Sequence, residues 1–147
     1  MKYAAALACL LLFVCACKHQ KNDSQTNVHD SIAFEASACE GSCPVYALTI
    51  FNTGKSTFIG KLNTIKLGEH KYKFSKEDTN RLFQYLATIN VLEFRDVYES
   101  AIADFPEIVI TYKEKSISIK NMRTIPSDLK ILAKTLQQMA RSTGYVN

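Results

Sequence analysis

The chain has 147 residues, 47% of them hydrophobic, and 18 lysines and arginines against 14 aspartates and glutamates give a net charge of +4. That length holds one small domain with a single core, and so mild a charge excludes a polybasic surface built for nucleic acid. Five cysteines and three histidines are the stock from which any redox or metal site would have to be drawn.

Met1-Lys2 precedes an apolar run from Tyr3 to Ala16. The run is too short for the roughly 20 residues that span a bilayer and has the length of a signal peptide. It ends in Val14-Cys15-Ala16-Cys17, where small residues precede a cysteine, and resembles a bacterial lipobox. The resemblance implies cleavage after Ala16 and acylation of Cys17, which makes residues 1–16 a lipoprotein signal peptide. Cys15 as the modified residue would put bulky Val14 at the cleavage position. An ordinary N-terminal anchor or a non-lipidated secretory signal is the alternative. Residues 17–30 are then a lipidated cysteine and a tether, because Lys, His, Gln, Asn, Asp, Ser and Thr with a single Val28 bury too little to fold.

From residue 31 to 147 the pattern is that of one folded domain. Ile32, Phe34 and Ala36 alternate with Ala33, Glu35 and Ser37, the period of two of a strand with one buried face. Val45 to Phe51 is a second strand with Tyr46, Leu48 and Ile50 on one side, and Asn52-Thr53-Gly54-Lys55 turns it into a third, Ser56 to Lys61. Gly54-Lys55-Ser56 superficially resembles a phosphate-binding loop, but Thr49 stands where the first glycine belongs and no helix follows, so no nucleotide is expected. Two short alternating segments come next, Ile65 and Leu67 facing inward in one, Tyr72 and Phe74 in the other, with Gly68-Glu69 turning between them.

Ser75 is placed to cap a helix over about Lys76 to Ile89, with Glu77 and Asp78 complementing its dipole and Leu82, Phe83, Leu86 and Ile89 forming its apolar stripe. Val91, Leu92 and Phe94 are expected to cover the core, followed by a longer loop with Asp96, Glu99 and Asp104. Three carboxylates suit a hard cation, but their spacing matches no calcium loop, and a solvated loop is the plainer reading. Ile108, Ile110 and Tyr112 face inward in the next strand, Glu114-Lys115 turns, and Ile117 and Ile119 face inward in its partner. Lys113, Lys115, Lys120 and Arg123 gather near that hairpin as a solvated face. Pro126, Ser127 and Asp128 open a second helix with Leu129, Leu132, Leu136 and Met139 on one side, closed near Gly144. The expected fold class is α+β: an antiparallel sheet of about six or seven short strands covered on one face by two amphipathic helices.

One stretch carries local chemistry: Cys39-Glu40-Gly41-Ser42-Cys43-Pro44-Val45-Tyr46. Cysteines four apart meet only if the chain reverses, which Gly41 permits, and Pro44 sends the chain out extended. With Cys9 and Cys15 lost with the leader and Cys17 lipidated, Cys39 and Cys43 are the pair left in an oxidising compartment. A structural disulfide is the first reading. A labile dithiol and a metal site are the others, although two thiolates fall short of a zinc set and His19, His29 and His70 are not at finger-like spacing.

The stretch from Ala38 to Tyr46, with the Gly54 hairpin and Asp104-Phe105-Pro106, resembles an uncharacterised family of bacterial lipoproteins with the signature Cys-x-Gly-x-Cys-Pro-x-Tyr, known as domain of unknown function 6438. The resemblance runs from about Ser31 to the end and implies the lipoprotein character and the domain boundary; it supplies no catalytic residue. Together these readings make the chain a lipid-anchored protein of the bacterial cell envelope, held at a membrane through its N-terminal lipid. It is expected to bind an envelope protein or glycan, with Glu40, Gly41, Ser42, Pro44 and Tyr46 as the candidate binding turn and no cofactor, metal or nucleic acid. An envelope enzyme or thiol-redox protein, using Cys39 and Cys43 or pairing Glu40 with Asp104, is the rival, and an inhibitor or immunity-type lipoprotein the third reading.

Overall fold

The computed structural model describes residues 30–100 and 106–147. Seven strands form one sheet: β1 (Ser31–Ala36), β2 (Val45–Phe51), β3 (Lys55–Leu62), β4 (Gly68–Lys73), β5 (Val97–Tyr98), β6 (Ile108–Tyr112) and β7 (Lys115–Ile119). Two helices accompany them, α1 (Lys76–Thr88) and α2 (Ser127–Ser142). The spatial order is β4-β3-β2-β1-β6-β7-β5. Every pairing is antiparallel except that of β5 with β7.

The alternation in the sequence translates directly into layers. Ile32 and Phe34 of β1, Tyr46, Leu48 and Ile50 of β2, Phe58 of β3, Ile108 and Ile110 of β6, and Ile117 and Ile119 of β7 are buried in one cluster with Leu82 and Leu86 of α1 and Leu129, Leu132 and Leu136 of α2. Residues that alternate with them, such as Glu35 and Ile59, are exposed, so both helices cover the same face. Ser75 Oγ accepts the amide of Asp78 at 3.0 Å, and Gly144, at φ 72°, closes α2. No helix among the described residues is long and apolar enough to cross a membrane.

Several expectations need correction. Leu92, expected to cover the core, is exposed, and Gly68-Glu69, expected as a turn, opens β4. The segment holding Ile65 and Leu67 is not a strand and neither residue faces the core; both are exposed, and β3 ends at Leu62. Phe83 is only partly buried, because the centre of the α1 stripe falls one residue earlier, at Leu82. The stretch after Phe94 is not wholly irregular. Val97 and Tyr98 add a two-residue parallel strand, held by the amide of Ser118 donating to Asp96 O at 2.7 Å and that of Lys120 donating to Tyr98 O at 2.9 Å.

Candidate functional site

The sheet has two poles. Asp30 enters at one of them, where its carbonyl accepts the amide of Asn52 at 2.8 Å beside the β2–β3 turn. β1 runs from there to the opposite pole, where the cysteine turn leads back into β2 and the β3–β4 loop reverses the chain.

At that far pole Cys39 and Cys43 form a disulfide with their Cα atoms 5.6 Å apart. Gly41 sits at φ 148°, and its amide donates to Cys39 O at 2.8 Å, a closure that a side chain at this position would strain. Pro44 then delivers the chain into β2 with no helix beginning at the turn, so neither sulfur has a helix N-terminus to acidify it. Glu40, Gly41 and Ser42 are exposed and Pro44 is half-buried.

Tyr46 behaves differently from the rest of the expected binding turn. Its ring is buried, stacked 5.4 Å from Phe58 and 5.9 Å from Phe34, and burial pushes its phenol above the ordinary value while Arg141 pulls it back in part. It is a support beneath the turn and offers nothing to a partner. Phe58 in turn lies 5.4 Å from Tyr145, and Tyr145 5.2 Å from His70, so a line of rings joins Tyr46 to the C-terminal tail.

That tail builds the neighbouring loop. Tyr145 O accepts the amides of Ile65 and Lys66 at 2.9 and 3.3 Å. Thr64 Oγ1 donates to Lys66 O at 2.8 Å, and His70 Nε2 donates to Leu67 O at 2.9 Å. Asn63, at φ 52°, donates from Nδ2 to Cys43 O at 3.2 Å, tying this loop to the disulfide turn. The loop is thus braced at several points, yet Leu62, Ile65 and Leu67 are 53, 55 and 65% exposed. Holding aliphatic side chains outward forgoes the stabilisation that burying them would give.

The loop carboxylates do not converge. Asp96 pairs with Lys115 at the start of β7, and Glu99 Oε2 lies 3.2 Å from Nζ of Lys120, just after that strand. Asp104 and Cys17 lie outside the described residues, as do His19 and His29. Among the described residues no group of three or more His, Cys, Asp or Glu is placed to hold a metal.

A concavity of about 510 Å³ lies between the helices with Phe74, Leu82, Ile131 and Met139 as its apolar lining. Its charged rim is already satisfied within α1, since Arg81 bonds Glu77 at 2.7 Å and approaches Asp78 at 3.7 Å. The braced tip is the better site.

A family model described as Domain of unknown function (DUF6438) matches residues 30–140. The chain belongs to this family. The match opens at the residue where β1's hydrogen bonding starts and ends within α2, so it contains the cysteine turn, the β3–β4 loop and the whole sheet. No curated protein matches the chain.

The β3–β4 loop was hidden from sequence reasoning, although its signal was present: Leu62, Ile65 and Leu67 lie within six residues beside Asn63, a residue type that tolerates left-handed backbone. For the disulfide, the chain-entropy relation gives only about 2 kcal/mol for so short a loop. Cys43→Ser is therefore expected to loosen the turn without unfolding the domain. Urea titration should show a loss of about 2 kcal/mol or less, and hydrogen exchange should rise at residues 39–43 and 63. A cooperative collapse of the whole sheet would contradict this.

Proposed function

We propose that the chain is a lipid-anchored interaction module of the bacterial cell envelope, and that the tip formed by Glu40, Gly41 and Ser42 with Leu62, Ile65 and Leu67 is its contact surface. The observation that carries this reading is the bracing of half-exposed aliphatic side chains by a disulfide turn and a C-terminal tail. Binding surfaces gain affinity when their loops are held in one conformation beforehand. Polarity of the domain supports it further. Chain entry at Asp30 and the tip occupy opposite poles, so a domain tethered through the first presents the second.

Site-specific photo-crosslinking in cells tests the proposal. A photoreactive residue at Leu67 should give discrete higher-mass adducts with envelope components, and one at Ile131, in the inter-helix groove, should not. Adducts at 131 and none at 67 would move the site to the groove. The anchor has its own readout: the mature chain should carry acyl mass that Cys17→Ser abolishes, and an unchanged mass in that variant would refute lipidation.

A further inference from the structure

β4 is an edge of the sheet along its whole length, since the order β4-β3-β2-β1-β6-β7-β5 gives it a neighbour on one side only. The opposite edge is β5, a strand of two residues. Register decides which backbone groups of β4 are spent. Phe74 donates its amide to Gly54 O at 3.0 Å in the same register that sets Tyr72 against Ser56 and His70 against Phe58, so these residues turn their backbone toward β3. Glu69, Lys71 and Lys73 alternate with them and point their N–H and C=O groups outward. None of those outward groups has a hydrogen bond among the described residues. Such a row of unpaired groups is a template for another strand.

Lysines on an edge ordinarily keep other strands away, but β4 reads Glu69-His70-Lys71-Tyr72-Lys73 and complements itself when laid antiparallel. With the pairing centred on Lys71, Lys73 of a second copy falls opposite Glu69 and its Tyr72 opposite His70, and the reverse. This register uses every outward backbone group of the three residues. It also answers a defect within one copy. Lys73 stands directly across from Lys55, a like-charge pair in which neither residue has an ion pair among the described residues, and the second copy brings its Glu69 to the open side of Lys73. The two Lys71 side chains meet at the axis, each already bonded to its own Glu69 at 2.5 Å and to Thr57 Oγ1 at 3.0 Å. On the helix-bearing side, half-buried His70 and Tyr72 cover one another across the join.

We infer that the chain forms a two-fold dimer through β4, antiparallel and centred on Lys71, which joins two sheets into one. A foreign strand would need acids placed to meet these lysines, whereas a second copy carries its own Glu69 in register. Association closes at two copies, because the join consumes the long edge of each and leaves only the two-residue β5 edges. This goes beyond the reading of the tip as a contact surface. The join leaves Glu40 to Ser42 free and sets the two tips at opposite ends of the continuous sheet.

Disulfide trapping of the full-length chain in cells tests the dimer. Opposed residues of a hydrogen-bonded antiparallel pair have Cα atoms about 5.5 Å apart, inside the range of about 4.4 to 6.8 Å that a disulfide needs. Oxidation of the Lys71→Cys chain should therefore give a band of twice the chain mass whose peptide map joins residue 71 to residue 71. Glu69→Cys should not link to itself, because the same residue of the second copy is displaced about 13 Å along the strand. Both side chains are exposed, so neither replacement disturbs the core. In the Lys71→Cys chain, Lys73→Glu should lower the trapped yield about fivefold as opposite-charge pairs become like-charge pairs, and adding Glu69→Lys should restore it. Absence of the 71–71 link, equal linking from Glu69→Cys, or a yield indifferent to the charge exchange or not restored by it would overturn the inference. A partner at the tip is read separately, since it adds foreign mass at Leu67 while the join adds a second copy.

Discussion

Phe58→Ala is expected to lower stability by about 3 to 5 kcal/mol, the range for removing a fully buried aromatic side chain. Phe58 is wholly inaccessible on β3 and its ring sits between two others, Tyr46 at 5.4 Å and 22° on one side and Tyr145 at 5.4 Å and 57° on the other. Removing it leaves a cavity and also breaks two ring contacts, each worth about 0.5 to 1.5 kcal/mol beyond burial. Against a total of about 5 to 15 kcal/mol, that is a large fraction. The loss should not be confined to the core, because Tyr145 carries the carbonyl that holds Ile65 and Lys66. Urea denaturation followed by circular dichroism gives the energy. Phe58→Leu keeps most of the volume and should cost clearly less, yet still about 1 kcal/mol or more for the lost ring contacts; a negligible loss in Phe58→Leu would mean that the rings contribute nothing beyond space-filling.

Gly60→Ala is expected to disrupt the tip with a cost of about 3 kcal/mol, at the upper end for overpacking. A Cβ on Gly60 would stand 1.9 Å from Lys66 O and 2.5 Å from Thr64 Oγ1. The first of these is backbone, so no rotamer change relieves it. The loop must lift away from β3, and its bonds to Tyr145 must break with it. Gly60 takes no left-handed conformation, so close approach alone demands glycine here. Amide exchange should accelerate at residues 63–67 while β1 and β6 keep their protection. Unchanged exchange in that window would show that the loop does not fold back over Gly60.

Much of this architecture could be read from periodicity, because β1, β2, β6 and β7 each bury one face and leave the other in water. Ser75 and Gly144 marked helix ends through local backbone chemistry. What escaped depends on partners far away in the sequence. Thr64-Ile65-Lys66-Leu67 alternates like a strand, but its amides are satisfied by Tyr145, some eighty residues on, which no local pattern reveals. Val97 and Tyr98 form too short a strand for alternation to register, and the lone Asn63 whose amide reaches Cys43 has the composition of any turn. Within the cysteine turn itself, the exposure of Glu40 to Ser42 followed from its residues. The burial of Tyr46 followed equally from the alternation of β2, which places it beside Leu48 and Ile50 and away from any surface contact.

The order β4-β3-β2-β1-β6-β7-β5 puts the first strand of the domain in the middle of the sheet. A chain leaving a ribosome or a translocation channel N-terminus first can assemble β1 to β4 as a meander and lay α1 on it. One edge of β1 nevertheless stays open until Ile108 to Tyr112 arrive to pair with Ile32 to Ala36. During that interval Ile32 and Phe34 line an unpaired strand edge, and α2, the last element made, has not yet covered them. Open edges of this kind invite pairing with other chains, and contacts so distant in sequence form slowly. The sheet therefore closes only once β6, β7 and α2 are available, and until then β1 has an unpaired edge.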